Sequence, residues 1–485
     1  FVPGARDAKA NGARRSALRS RLHALADGAW VSETGRMGYG RFGTLQDEIE
    51  TYKKWGWKGY DDPAKLNAVK RAHDPHAFVP AVAIHDVSES DSSELCLLMY
   101  LRTGERGWFD EGEAYARYFK THACYRTDDF INDGFKMVKD IVNPKATRKG
   151  KGLRFGWYGP KEYVWEDSRL CVCHTWGAGV IDYYCLTGDV DALEGGLDVA
   201  EVAAACYGGS KPTEPLPYSR NWGRQFQQIL RAWQVTRDPK WKEQADRYGQ
   251  WATHSSNWNK LGAYASTGGA AYTVGEKFKQ DLPGALADKM TEMGLSYNVK
   301  ENTVRVTDKN TGKSWPVWWA TGAFEHDACV QAISRYAELS GDAEAAKRVV
   351  GLACGSRDIL WSEKCQLAQS FNFVGWLGED KPQDFASYVG EHERCPADPG
   401  ASHNGYDTRW LADCMARGYT FSGDKAWLDW AKKVWNRGSK RGYNVRSQSA
   451  PDDVVGSFAS HSAPKGDGVD IRSSMRMFYE VAHAK

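Results

Sequence analysis

Apolar positions in this chain recur mostly at helical spacing, in blocks that end in one short phrase. The copies read YLRTGERGWF from Tyr100, YYCLTGDVDAL from Tyr183, AWQVTRDPKW from Ala232, RYAELSGDAEA from Arg335 and GYTFSGDKAWL from Gly418. Each runs from an aromatic-bearing helix end through Thr or Ser, usually Gly, then an acid, into a new helix. Gly104, Gly188, Gly341 and Gly423 stand where a left-handed C-cap is needed, a conformation that a residue with a Cβ adopts only at a cost. Glu105, Asp189, Asp342 and Asp424 stand where an N-cap or first-turn acid stabilises the next helix. Arg237 replaces Gly in one copy. Pro239 follows it near the first turn of the next helix, where a missing N–H costs little. The phrase predicts a tight αα-hairpin, repeated.

Hairpins repeated at unequal spacing predict a mainly α fold. A regular solenoid would keep its period better. The expectation is an α/α toroid, a complete or incomplete ring of hairpins forming one domain over residues 1–485. An irregular helical solenoid that binds a partner is the alternative. Residues 13–28 read as an amphipathic helix with Leu18, Leu22 and Leu25 on one face, and 40–57 as a second, aromatic-rich helical stretch. The helical pattern breaks over 125–165, 207–222, 255–318, 377–408 and 438–468. Within the third stretch, alternating Val residues in SYNVKENTVRVTDKNTGKSWPVWW predict a β-hairpin insertion at 295–318. Long loops rich in Trp, Tyr, Gly and His argue for a functional face.

Composition narrows the function. Of 485 residues, 42% are hydrophobic and 26% charged, as in an ordinary soluble globular protein, and the net charge is only +2. Nothing here asks for nucleic acid or an acidic membrane surface, and no apolar run reaches the ~18 residues of a membrane span. The 21 Trp stand out, at about three times ordinary usage. Indole faces suit the apolar faces of sugar rings, although a large helical ring also packs with aromatics. Of the 11 Cys, Cys96, Cys185, Cys206, Cys329, Cys354 and Cys414 fall in apolar helical patterns and read as buried small hydrophobes. Cys171, Cys173 and His174 lie too close for a C-x-x-C metal site. No cofactor is expected, a structural divalent cation aside. A chain opening on Phe rather than Met is expected to be processed or cut from a longer one.

Five segments could carry chemistry, each at the start of a predicted hairpin helix. The first is EDSRLCVCHTWGAGVIDYYCLTGD, residues 166–189, with His174 and Trp176 ahead of Gly177 and Gly179. The second holds Tyr218, Arg220, Asn221, Trp222, Arg224 and Gln225. Arg220 and Arg224, four apart, share a helical face, and two guanidinium forks beside an indole suit a uronate. The third, WWATGAFEHDA, holds Trp318, Trp319, Glu325, His326 and Asp327. The fourth, SHNGYDTRW, holds His403, Tyr406, Asp407 and Arg409. The fifth, AIHDVSESDSSE, holds His85, Asp86 and Asp91.

A helix beginning H-x-W-x-x-G and running into YYCLTGDVDALE resembles the α/α-toroid domain of exo-rhamnogalacturonan lyase-like proteins. YLRTGERGWFDEGEAYARY and NWGRQFQQILRAWQVTRDPKW are similar to that family too, so that scattered pieces of residues 85–350 carry the likeness. Members usually add β-sandwich domains, and none is evident here. The resemblance implies a polysaccharide lyase acting on an acidic glycan, and an extracellular or periplasmic location is expected. In such β-elimination, Arg220 or Arg224 would neutralise a uronate carboxylate. His174 or His403 would be the base, and Tyr406 or Tyr218 the acid. Trp176, Asn221, Trp222, Trp318, Trp319, His326 and Asp407 would bind the sugar. Two alternatives stay open: hydrolysis by paired carboxylates among Asp86, Glu325, Asp327 and Asp407, and noncatalytic glycan binding.

Overall fold

The computed structural model describes residues 31, 40–56, 91–118, 120, 124–125, 154–155, 177–206, 219–254, 295–300, 303–312, 314–320, 323–363, 366–368, 372–376, 404–442 and 464–485. They are mainly helical. Helix α1 spans Leu45–Lys54, α2 Ser92–Thr103, α3 Arg106–Tyr118, α4 Ala178–Thr187, α5 Val190–Cys206 and α6 Ser219–Thr236. Helix α7 spans Pro239–Thr253, α8 Ala323–Ser340, α9 Ala343–Gly355, α10 Asn404–Ser422, α11 Ala426–Gly442 and α12 Pro464–His483. A π-helical turn, Ser356–Leu360, extends α9.

The five phrases are the links α2–α3, α4–α5, α6–α7, α8–α9 and α10–α11, and each is built from one set of bonds. The hydroxyl of Thr103, Thr187, Thr236, Ser340 or Ser422 donates to the carbonyl four residues back, at 2.6–2.8 Å. The same oxygen accepts the N–H two residues on, at 3.1–3.2 Å. One small side chain thus stitches a helix end to the following start. Between them, Gly104, Gly188, Gly341 and Gly423 hold φ of 73–75°, and Arg237 holds 57°. The acid then caps: Asp189 and Asp342 accept the N–H three residues on, and Asp238 and Asp424 the N–H two on. At α1, Thr44 and Asp47 form a reciprocal capping box.

Tertiary contacts place α2 beside α4, α4 beside α6, α6 beside α8, α8 beside α10 and α10 beside α12. Helix α12 in turn touches α2. Of the other hairpin members, α3 also reaches α4, α5 reaches α6 and α9 reaches α10, while α1 lies on α12. Close approach needs small residues at these crossings. A Cβ at Gly179 of α4 would collide with the backbone of Glu94 in α2, and one at Gly223 of α6 with the backbone of Ala328 in α8.

The apolar core has two parts. Tyr52, Leu95, Tyr100, Trp108, Trp435 and Phe478 belong to one, gathered from α1, α2, α3, α11 and α12. Trp222, Phe226, Tyr248, Trp251 and Ile333 belong to the other, from α6, α7 and α8. In the second, Trp222 stacks on Tyr248 at 5.8 Å and meets Trp251 edge-on at 6.4 Å. Among the described residues nine tryptophans are buried: Trp108, Trp222, Trp233, Trp241, Trp251, Trp361, Trp410, Trp427 and Trp435. For these nine, packing explains the indole, and sugar stacking does not. Cys96, Cys329 and Cys414 are buried free thiols.

Strands β3 (Leu295–Lys300), β4 (Thr303–Asp308) and β5 (Ser314–Ala320) pair antiparallel in succession. A later strand, which we number β8 (Asn372–Trp376), adds to β5. Residues 295–318 therefore belong to a four-stranded sheet rather than to a lone hairpin insertion. The short pairs β1–β2 (Cys124–Tyr125, Arg154–Phe155) and β6–β7 (Trp361–Ser362, Leu367–Ala368) complete the strands among the described residues. The expected helix at 13–28 lies outside the described residues.

Candidate functional site

The six mutually adjacent helices present polar stripes at helical spacing toward one another. On α6 the stripe reads Arg224, Gln227, Arg231, Gln234, in steps of three, four and three. On α8 it reads Asp327, Gln331, Arg335, Glu338. Asp413 and Arg417 on α10, Arg476 and Glu480 on α12, and Asp182 on α4 join them. Nearly all these side chains are buried, and burial of charge requires pairing.

The pairs run between helices. Arg231 of α6 bonds Asp182 of α4 and, within its helix, Gln234 at 3.0 Å. Arg476 of α12 bonds Glu338 of α8, which also holds Arg335 at 3.0 Å. Glu480 accepts from Arg476 at 3.4 Å, from Arg41 at 2.9 Å and from Thr420 of α10 at 2.6 Å. Burial pushes the Glu338 carboxyl up, but Arg476 and Arg335 outweigh it and hold its pKa down at about 2.

A second cluster joins α8 to α10. Asp413 accepts from Arg417 Nε at 2.7 Å through Oδ2 and pairs with the Asp327 carboxyl, while its buried Oδ1 accepts from no donor. Asp327 takes Gln331 Nε2 at 2.6 Å and lies 3.7 Å from the Cys414 thiol. Two carboxylates have no proton to donate, so the contact between them holds one. Burial raises the Asp413 pKa, against the pull of Arg417 and of the bond with Asp327, which both lower it.

The stripes enclose a cavity of about 60 Å³. Glu94 of α2, Ala178 of α4, Gln227, Leu230, Arg231 and Gln234 of α6, Gln331 and Arg335 of α8, Arg417 of α10 and Arg476 of α12 line it, with Gly40. Each of the six helices contributes. By this measure about 10–15 Å³ holds one water, so the space fits a few waters or one small ion, not a sugar ring.

Several residues proposed from sequence fall into structural roles. Trp222 is fully buried in the aromatic cluster around Tyr248. His326 is 2% exposed, its Nε2 bonds the Leu352 carbonyl at 3.2 Å, and burial lowers its pKa to about 4. A neutral ring donating to a carbonyl is a helix-to-helix tie, not a sugar ligand. Asp327 is committed to the Asp413 cluster. Gly177 N–H donates to Gln228 at 2.8 Å and Gly179 N–H to Asp91 at 2.9 Å. These glycines therefore serve helix packing. Asp91 itself caps α2 through Glu94 N–H and ties the start of α4 to it.

Arg224 is buried on the α6 stripe. Arg220 and Asn221 lie in the first turn of α6, Tyr406 and Asp407 in the first turn of α10, and Trp318 and Trp319 in β5. His174, Trp176, Tyr218 and His403 lie outside the described residues, as do His85 and Asp86. Sequence reasoning missed Arg231, Arg335, Arg417 and Arg476. The signal was present as arginine inside otherwise apolar helical runs such as QQILRAWQ and CMARGY.

Among the described residues, no cluster of His, Cys, Asp and Glu forms a metal site, and no helix is long and apolar enough to cross a membrane. No known family model matches the chain, and no curated protein matches it.

Proposed function

We propose that the hairpins close into an α/α toroid and that the protein is a polysaccharide lyase, cleaving a uronic-acid-containing glycan by β-elimination. The neighbour order α2, α4, α6, α8, α10, α12 and back to α2 supports the ring. One observation carries the functional reading: the candidate segments stand at the starts of α2, α4, α6, α8 and α10, the alternate helices of successive hairpins. Because each short link reverses the chain, alternate helices start on the same side. In this reading the segments that carry His85, His174, Arg220, His403 and Tyr406 share one mouth.

In this reading the sugar binds at the mouth, above the small axial cavity. The α6 stripe offers guanidinium groups, Arg224 and Arg231, down its length. Arg220 or Arg224 neutralises the substrate carboxylate and so acidifies the proton at the adjacent carbon. His174 or His403 removes that proton, and Tyr406 or Tyr218 protonates the departing oxygen. Trp176 and Asn221 orient the ring. Asp327 and Asp413 share a hydrogen bond, too close for the ~5 Å or wider separation of glycosidase carboxylates, which argues against hydrolysis by that pair. Acidic polymers of this kind are met outside the cytoplasm, where we place the protein.

The test is a variant series on an active acidic glycan. His174→Ala should abolish unsaturated product while Asp407→Asn retains part of it. A reducing-sugar product with no unsaturation, lost in Asp407→Asn and kept in His174→Ala, would make the enzyme a hydrolase. Glycan binding that no variant turns into turnover would make it a binding protein.

A further inference from the structure

The small cavity between the helices is unexplained by the reading above, because it is too small for a sugar and begins about one helical turn beyond Arg224. Its lining sets four arginines against one carboxylate, Glu94. Two of those arginines have donors to spare. Arg417, 4% exposed, binds Asp413 through Nε, and its two terminal nitrogens meet no acceptor among the described residues. Arg476, 2% exposed, uses Nη1 and Nη2 on Glu480 and Glu338, and its buried Nε has no partner. Gln234 adds an amide whose oxygen is taken by Arg231 and whose NH2 group meets no acceptor among the described residues. Buried donors without acceptors are costly. They lie around a space of oxyanion size, and guanidinium forks match planar or tetrahedral oxyanions.

We propose that this cavity is a binding site for a small oxyanion, a carboxylate or phosphate, held by Arg417, Arg476 and Gln234 and bridging α6, α10 and α12. The site is separate from the sugar-binding mouth and does not depend on the lyase reading. An anion there joins helices that are distant in sequence, so it should stabilise the fold rather than take part in turnover.

The test is thermal unfolding and calorimetric titration of the full chain with acetate, inorganic phosphate and sulfate, at ionic strength matched with sodium chloride. At least one should raise the unfolding midpoint saturably and bind with a measurable Kd. Preference for acetate assigns a planar carboxylate, and preference for phosphate or sulfate a tetrahedral anion. Arg417→Gln and Gln234→Leu should each weaken binding by about tenfold or more, the cost of losing a charge-assisted or buried donor. If Arg417→Gln does not fold, Gln234→Leu decides, because it breaks no ion pair. Absence of saturable binding by all three anions overturns the proposal. So does binding that folded Gln234→Leu leaves unchanged, which would place the anion elsewhere on the protein.

Discussion

Glu338 is the carboxylate on which buried Arg476 and half-buried Arg335 converge, and Glu338→Gln tests whether these pairs between helices stabilise the fold. The folded state holds this carboxyl at about 2 against an ordinary 4.5. At about 1.4 kcal/mol per pH unit, that depression is worth about 3 kcal/mol at neutral pH. Its sign is that of a lowered acid: the stabilisation is present above about pH 5 and fades as pH falls through the unfolded value toward 2. Gln keeps the shape and one acceptor but gives Arg335 and Arg476 no charge. Urea unfolding of both proteins at pH 7 should show a loss of about 3 kcal/mol in the variant, shrinking to about half of that at pH 3. A loss of equal size at both pH values would mean that the charge is not what matters. A loss below about 0.5 kcal/mol at pH 7 would mean that the pairs are no better than surface ones.

Three further substitutions or titrations probe other parts of the account. Arg237→Gly should raise stability by about 0.5–1 kcal/mol in urea, since a non-glycine residue held at φ 57° costs about 1–2 kcal/mol and the added freedom of Gly offsets part of that. A decrease would show that Arg237 makes a contact worth more than the strain. Asp413→Asn should cost less than Asp413→Ala at pH 7, because its oxygen still accepts from Arg417 and its NH2 can donate to the Asp327 carboxyl. Asp413→Ala should cost about 3 kcal/mol or more by stranding both partners, and equal costs would refute the shared proton. The His326 ring should show no inflection by NMR between about pH 5 and 8, its pKa being lowered to about 4 by burial. Protonation near 6.5 would mean that the ring reaches water.

The hairpin links were legible because their causes are local. A hydroxyl, a left-handed glycine and a capping acid sit within five residues of one another, and each does its work on neighbouring backbone. The axis was not legible, because its partners are far apart in the chain. Arg231 finds Asp182 49 residues away, and Arg476 finds Glu338 138 residues away. Nothing local says which arginine faces inward. Trp222 and His326 misled for a related reason. At a helix start, an indole and an imidazole suit a sugar, but here the first turns of α6 and α8 are already packed against α7 and α9. The stacking of Trp222 on Tyr248 and the bond from His326 to Leu352 follow from that packing.

The lyase reading is tested most directly by incubating the purified chain with a panel of acidic polysaccharides, pectic, alginic and glycosaminoglycan, and following absorbance. β-Elimination creates a double bond conjugated to the carboxylate, which absorbs near about 235 nm. The account predicts a linear, enzyme-dependent rise with at least one uronate polymer, and none with its carboxyl-reduced form. New reducing ends without that absorbance, or a rise undiminished on the carboxyl-reduced polymer, would contradict it.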